Sequence, residues 1–156
     1  MAYSTAVWGP EEGGVRGDLD SGPKPGDLEA AQKRKFQMIM TKARIKPGDR
    51  VLEFGSGWGG LAIEIARQYD CQVDTLTLSI EQKRLADERI LAHGLQDRVR
   101  VHYRDYRDLP PEWEKAFDVF VSIEMIEVCG VVCFWLGNML NFWHISARRH
   151  TGDIVY

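Results

Sequence analysis

The chain has 156 residues, of which 44% are hydrophobic and 28% are charged, and these values are typical of a single globular domain. They exclude a collagen-like fibre and a chain that is disordered throughout. Twenty basic residues against 23 acidic ones leave a formal charge of −3, which is too small to indicate nucleic acid as a partner.

Cysteine content and the N-terminal sequence both bear on the cellular compartment. Cys71, Cys129 and Cys133 are odd in number and lack the spacing of a zinc site, so they indicate reduced thiols without disulfides or a structural metal. Residues 1–10 lack the basic start and apolar run of a secretory signal. We therefore expect a cytoplasmic protein.

The first part of the chain changes character at Asp27. Residues 9–26 hold six of the fifteen glycines and three of the six prolines, a composition that predicts a mobile surface segment. Asp27 is a predicted N-cap, and the helix that it opens should end at the Lys46-Pro47-Gly48-Asp49 turn. The apolar positions of this predicted amphipathic helix are Leu28, Ala31, Phe36, Ile39, Met40 and Ala43.

From Arg50 onward, short apolar runs alternate with helical patterns. Because parallel strands need crossover helices between them, this alternation predicts an open α/β sheet. The apolar run of the last strand suits a strand covered on both faces. The predicted strands are Val51–Phe54, Val73–Leu78, Arg98–Tyr103 and Phe117–Ile123.

Two helices are predicted between the first three strands. The first has an apolar stripe and the second begins at Ser79, which forms a capping-box pair with Gln82. The second helix should end near Gly94, with His93 at its C-terminal end and not acting as a catalytic base. The stripe of the first helix consists of Leu61, Ala62, Ile65 and Ala66.

A glycine-rich turn joins the first strand to the first of these helices, with the sequence Glu53-Phe54-Gly55-Ser56-Gly57-Trp58-Gly59-Gly60. Glycines allow a sharp turn and the close approach of a ligand to the backbone, so a cofactor is the natural occupant. Gly55, Gly57 and Gly60 also satisfy the dinucleotide spacing G-x-G-x-x-G. The turn alone leaves a dinucleotide, S-adenosylmethionine or no ligand open.

The acidic residues favour S-adenosylmethionine over a nicotinamide cofactor. A dinucleotide site places a carboxylate at the end of the second strand, whereas Asp74 is near its start and Thr77-Leu78-Ser79 occupies its end. Glu53 lies just before the glycines, where the amino group of a methionine-type ligand would arrive. A sulfonium and an ammonium are cations, so they need no phosphate-binding helix terminus.

Several ordered motifs together resemble the cyclopropane-fatty-acid synthase family of S-adenosylmethionine-dependent methyltransferases, which includes the mycolic-acid cyclopropane synthases and related fungal lipid methyltransferases. The resemblance runs from Tyr3 to about Glu127. Its motifs are Tyr3-Ser4, the Lys46–Leu61 segment KPGDRVLEFGSGWGGL, the Thr77–Gln82 segment TLSIEQ, the Arg104–Asp108 segment RDYRD, Phe117-Asp118 and the Ser122–Glu127 segment SIEMIE.

This resemblance implies a Rossmann-like class I methyltransferase fold, α/β, with an open parallel sheet, helices on both faces, and an incomplete sheet after about four strands. It divides the chain into three parts. Residues 1–26 form an N-terminal cofactor-closing segment and flexible loop, residues 27–127 form the S-adenosylmethionine-binding core, and residues 128–156 form an atypical apolar tail.

The resemblance also assigns the cofactor-binding residues. The N-terminal pair closes over the methionine end, the glycine turn forms the main loop, the TLSIEQ segment lines the ribose and sulfonium, and an acidic–aromatic pair lies beside the adenine. Ser79 and Gln82 could equally be only a helix cap, and Tyr106 only a half-buried loop aromatic. The assigned residues are Tyr3, Ser4, Leu52, Glu53, Phe54, Gly55, Ser56, Gly57, Trp58, Gly59, Gly60, Thr77, Leu78, Ser79, Ile80, Glu81, Gln82, Asp105 and Tyr106.

The implied reaction adds a methyl or methylene carbon to a cis double bond of an unsaturated phospholipid or other lipid acyl chain at a membrane surface. Glu127 is the implied catalytic residue, because it matches the acid that helps to hold a bicarbonate base in the full-length family. Val128 replaces the histidine that usually follows this acid, and Thr5 replaces the cysteine that usually follows Tyr-Ser.

The tail departs from the family pattern. Residues 128–146 contain no Lys, Arg, Asp or Glu, but Gly137, Asn138 and Asn141 interrupt the apolar run, which disfavours a membrane helix. We expect a truncated form with impaired or no activity, whose tail stems from a truncated gene model, a retained intron or a frameshift. A sphingolipid or small-molecule methyltransferase and a non-catalytic cofactor-binding fragment are the two other functions consistent with the sequence.

Overall fold

A computed structural model describes residues 5–12, 14 and 24–124. The elements alternate as the sequence predicts, with each strand boundary within a few residues of its expected place. In chain order they are a first 3₁₀ helix Pro10–Glu12, α1 Asp27–Lys42, β1 Arg50–Phe54, α2 Gly60–Tyr69, β2 Gln72–Thr77, α3 Ile80–Ala92, β3 Val99–Tyr103, a second 3₁₀ helix Pro111–Trp113 and β4 Val119–Ser122.

The four strands form one parallel sheet in the order β3-β2-β1-β4. The chain adds β2 and β3 on one side of β1 and then returns to place β4 on the other side. The carboxyl ends of β1 and β4 therefore flank a topological switch point, where open α/β sheets bind their ligands. The architecture is the predicted Rossmann-like class I methyltransferase fold.

Alternating side chains of the strands face two separate cores. Val51, Val73 and Val121 lie on the face that packs against all three α-helices. Leu52 and Phe54 lie on the opposite face, where residues of the 104–118 connection and its 3₁₀ helix cover them. The prediction placed helices on both faces, and in the described part of the chain all three α-helices lie on one face. Because right-handed crossovers place a returning connection on the other side of the sheet, this division follows from the strand order.

The start of α1 differs from its prediction. Asp27 is the first helical residue and Gly26, with a φ of 95°, is the N-cap. The Asp27 carboxylate instead accepts a hydrogen bond from the Lys24 backbone N–H at 3.0 Å, so it stabilises the preceding turn. Leu28 was also assigned wrongly to the apolar face, since 52% of its surface is exposed.

Strand β4 is less enclosed than its apolar sequence suggests. Within residues 24–124 it pairs only with β1, and Val119 and Phe120 are half-buried. In the described part of the chain Val119 and Val121 pack against one core and Phe120 against the other, so both faces of the strand are covered, but only partly at residues 119 and 120. Hydrophobicity reports what a strand can bury, and the neighbouring elements decide how much it does bury.

Residues 9–12 also depart from the predicted surface segment. Gly9 is buried, and the buried Glu12 carboxylate pairs with both terminal nitrogens of Arg34 on α1 at 2.9 Å. The Gly9 backbone N–H donates to the same carboxylate at 2.6 Å. A bidentate ion pair therefore holds this segment against α1. Apolar composition, on which the prediction was based, does not reveal such a contact.

Within the described ranges, no helix combines the length and the apolar character that a membrane span requires. The uncharged stretch of residues 128–146 lies outside those ranges.

Candidate functional site

Three of the predicted cofactor segments meet at the carboxyl edge of the sheet. The backbone N–H groups of Gly55 and Ser56 donate to the Leu76 carbonyl at 3.1 and 2.8 Å. The Arg104 N–H donates to the Thr77 carbonyl at 3.1 Å. These bonds join the glycine turn, the end of β2 and the residues after β3, as parallel pairing requires.

The glycine turn needs its glycines. Gly55, Gly57 and Gly59 have φ values of 84°, 49° and 77°, in the left-handed region that side chains disfavour. Gly59 is also the N-cap of α2, and a Cβ there would lie 3.1 Å from the Cβ of Ala86 on α3. The turn therefore combines a sharp change of direction with close helix packing.

Glu53, two residues before Gly55, is buried without a charged partner among the described residues. Only 4% of its surface is exposed, and burial raises its pKa from 4.5 to about 7, with the nearby Thr75 hydroxyl opposing part of that rise. Glu53 Oε2 and Thr75 Oγ1 nevertheless have no hydrogen-bond partner of good geometry among the described residues. A buried carboxyl in this state is well suited to a cationic ligand.

The TLSIEQ segment forms a hydroxyl-rich cap at the start of α3. Ser79 is the N-cap and its hydroxyl accepts from the Gln82 N–H at 3.2 Å, which confirms half of the predicted capping box. The other half runs through Thr77, whose hydroxyl donates to the Gln82 side-chain oxygen at 2.8 Å and accepts from the Ser79 N–H at 3.1 Å. Leu78 and Ile80 are exposed beside this cap, at 64% and 39%.

The predicted adenine pair lies at the same edge but is already engaged. The Asp105 carboxylate accepts from the backbone and the guanidinium of Arg107, and the side-chain hydrogen bond lowers the pKa of Asp105. The half-buried Tyr106 ring packs against Phe54 at 5.6 Å between ring centroids. The adenine contact of this pair stays a prediction.

Asp74, the acid that the sequence offers for a dinucleotide ribose, does not lie at this edge. Asp74 is the third residue of β2 and is buried on the Leu52 face of the sheet. One carboxylate oxygen lies 2.8 Å from His102 Nε2, and the other lies 3.8 Å from Arg50. The position of Asp74 therefore disfavours a ribose role and supports the expectation of S-adenosylmethionine.

The N-terminal segment reaches the carboxyl edge through Glu124. The Thr5 N–H donates to Glu124 Oε1 at 3.1 Å, and the Lys35 ammonium donates to the same oxygen at 2.6 Å. Sequence reasoning missed the side chains of Lys35 and Glu124. Lys35 could have been noticed, because it lies between Ala31 and Ile39 in a series of buried positions four residues apart on α1. Tyr3, Ser4 and Glu127 lie outside the described residues, so their roles stay predictions.

Glu124→Gln should loosen this docking. The substitution removes the charge that Lys35 and the Thr5 N–H share, and hydrogen bonds to charged groups contribute about 1.5–3 kcal/mol. We expect amide hydrogen exchange of residues 5–8 to accelerate at least tenfold while the strands keep their protection. The control is Glu29→Gln, which removes the exposed ion-pair partner of Lys33 on α1, the helix that also carries Lys35. Equal amide exchange rates at residues 5–8 in the two variants would contradict the role given to Glu124.

Comparison with known proteins identifies the family. A sequence model described as mycolic acid cyclopropane synthetase matches residues 1–136, which is farther than the span from Tyr3 to Glu127 on which the resemblance was based. The chain belongs to the mycolic acid cyclopropane synthetase family. It is thus a member of a family of S-adenosylmethionine-dependent methyltransferases.

The relatives of this chain differ in the activity that their names state. The chain is 42% identical over 130 residues to a cyclopropane-fatty-acyl-phospholipid synthase of Escherichia coli, covering 83% of this chain and 28% of that protein. It is 32% identical over 114 residues to a sphingolipid C9-methyltransferase of Komagataella phaffii, covering 69% and 23%. The solved cyclopropane synthase MmaA2 of Mycobacterium tuberculosis superposes with a TM-score of 0.55 at 28% identity, covering 65% of this chain and 34% of that one.

The chain spans about a quarter of the length of the curated relatives it matches, between 26% and 28% for the first of them. The matched part contains the glycine turn, the capped start of α3 and the buried Glu53. The comparisons therefore bear only on the part of each relative that this chain matches.

Proposed function

We propose that the chain binds S-adenosylmethionine at the carboxyl edge of the sheet and serves the transfer of a methyl or methylene carbon to a double bond in a lipid acyl chain. The observation that carries the cofactor assignment is the buried Glu53 carboxyl, whose Oε2 has no partner among the described residues. A ligand ammonium would satisfy this group, and family membership supports the same cofactor.

Each cofactor-binding segment has a distinct task. When bound, S-adenosylmethionine supplies an electrophilic methyl group on a sulfonium. Glu53 would hold the ammonium, and the left-handed glycines let the backbone of the turn approach the ligand. The Thr77 and Ser79 hydroxyls would line the ribose side, while Tyr106 would offer a ring face to the base. Positioning of this kind is the main contribution that a protein makes to such a transfer.

The lipid assignment is supported by the names of the relatives and by apolar surface beside the site. Leu78, Ile80 and Tyr103 are exposed, and Tyr103 is paired in register with Thr77 at the end of β2. These exposed apolar side chains would contact the acyl chain of a membrane lipid when the protein, which we propose to be cytoplasmic, lies at the membrane surface. The same proposal includes Glu127 as the acid that helps to hold a bicarbonate base.

A labelled-methyl transfer assay tests the substrate class. The chain is incubated with methyl-labelled S-adenosylmethionine and vesicles of unsaturated phosphatidylethanolamine, with saturated vesicles as the matched control. We expect label only in the unsaturated lipid, because the saturated chain has no double bond to attack. Label in glucosylceramide would favour the sphingolipid reaction that one relative is named for, and label in a small amine would contradict a lipid substrate.

Turnover and cofactor binding are measured on the same samples. Cofactor binding without label in any acceptor would overturn the catalytic proposal and indicate a non-catalytic cofactor-binding chain. Absence of cofactor binding would contradict the site itself.

A further inference from the structure

Helix α3 contacts the glycine turn through two side chains one helical turn apart. Ala86 is fully buried against Gly59, where even a Cβ would lie 3.1 Å from the Ala86 methyl group. Arg89 reaches farther along the turn, and its Nη1 donates to the Trp58 carbonyl at 3.0 Å. The turn is thus supported from outside the site by a helix whose first residues belong to the TLSIEQ segment.

The Arg89 hydrogen bond completes the restraint of one peptide unit. The N–H of that unit belongs to Gly59 and donates to the Ser56 carbonyl at 2.8 Å. Its carbonyl belongs to Trp58 and accepts from Arg89. A peptide plane held at both its N–H and its C=O cannot rotate between its neighbours, although Gly57 and Gly59 leave the surrounding dihedrals permissive.

Arg89 is placed so that this contact does not require burying its charge. The side chain is half-buried and lines an open cavity of about 530 Å³ between α1, α2 and α3, together with Phe36 and Ile63. One edge of the guanidinium can therefore remain in water while the other binds the carbonyl. A rigid, permanently charged guanidinium loses little conformational freedom in such a bond.

We propose that Arg89 is a positioning residue for the cofactor, which fixes the Trp58–Gly59 peptide so that the glycine turn holds its binding shape before the ligand arrives. This role rests on the proposed function of the turn. Arg89 acts through the backbone of the turn and does not itself contact the ligand. A preformed turn binds its ligand more tightly, because the binding free energy is then not reduced by the cost of ordering the loop.

Three variants separate this role from general stabilisation. Arg89→Met keeps the apolar stem and removes the donor, Arg89→Lys keeps a single cationic donor, and Arg84→Met makes the same change at an exposed position of α3. By calorimetric titration we expect Arg89→Met to bind S-adenosylmethionine about tenfold more weakly, in line with the loss of one charge-assisted hydrogen bond. Arg89→Lys should be intermediate, and Arg84→Met should match the wild type.

A ligand-free readout distinguishes failure of this role from failure of the proposed function. The five tryptophans are labelled with 5-fluorotryptophan, and the Trp58 ¹⁹F signal is assigned with Trp58→Phe. In Arg89→Met the Trp58 signal should shift or broaden while the Trp113 signal of the opposite core stays in place. Unchanged affinity with an unchanged Trp58 signal, or equal changes at Trp58 and Trp113, would overturn the role of Arg89. If the wild type itself does not bind S-adenosylmethionine, the proposed function fails. The Trp58 signal of Arg89→Met then still shows whether the Arg89 hydrogen bond fixes the Trp58–Gly59 peptide.

Discussion

Gly57→Val is expected to abolish binding of S-adenosylmethionine at concentrations that saturate the wild type. Gly57 has a φ of 49°, which a β-branched side chain adopts only at a cost of about 1–2 kcal/mol or more. A valine side chain would also obstruct the close approach of the proposed ligand to the backbone, which glycines in such a turn allow. Isothermal titration of the two proteins under identical conditions measures the loss.

Gly48→Val is the matched control for this substitution. Gly48 also has a positive φ, 82°, but it lies in the turn before β1 and a Cβ there would meet nothing within 4 Å. Both variants should lose a similar amount of thermal stability through backbone strain, while only the variant at Gly57 should lose binding. If Gly57→Val binds as the wild type does, or if both variants lose binding equally, the assignment of the turn is wrong.

Glu53→Gln should remove a large pH dependence of stability. In the ligand-free protein burial raises the pKa of Glu53 from 4.5 to about 7, so the folded state retains a proton that the unfolded chain releases. This contribution to stability is fully present below pH 4.5 and falls by about 3 kcal/mol as the pH rises to 7. Urea unfolding between pH 4.5 and 7.5 should show this decline in the wild type and a flatter profile in the variant.

The same group should make cofactor binding depend on pH in the opposite direction. A cationic ligand requires the Glu53 carboxylate, so below pH 7 its binding must release a proton. Affinity should therefore rise with pH up to about 7 and then level off, whereas Glu53→Gln should bind at least tenfold more weakly with a flatter pH profile. Titrations in two buffers of different ionisation enthalpy count the released protons; no release at pH 6 by the wild type would contradict the role of Glu53.

Local sequence patterns predicted the parts of the site that are local in the chain. Val51–Phe54, the glycines after it and the Ser79 cap are each defined by residues within one turn or strand, and the structure confirms these elements. The edge at which they meet follows from parallel pairing, because βαβ crossovers bring successive carboxyl ends together. The fold class and the edge at which the predicted cofactor segments meet were therefore accessible without coordinates.

Contacts between distant residues were not accessible in this way. The Arg89–Trp58 bond joins residues 31 apart and the Lys35–Glu124 bond joins residues 89 apart. Arg, Lys and Glu side chains are common on protein surfaces, and a backbone carbonyl acceptor such as that of Trp58 leaves no signal in the sequence. Periodicity shows which face of a helix is apolar, but it does not show which charged side chain reaches across to another element. The same limitation explains why the docking of Glu12 on Arg34 was missed.

Chemical-shift mapping by NMR tests the central claim most directly, because it locates the ligand on the ligand-free fold. The ¹⁵N-labelled chain is titrated with S-adenosylmethionine and, separately, with NAD. We expect S-adenosylmethionine to shift the amide signals of Glu53–Gly60 and Thr77–Gln82 together, and NAD to leave them in place. Shifts confined to other parts of the chain, or a response of the glycine turn to NAD alone, would contradict the account.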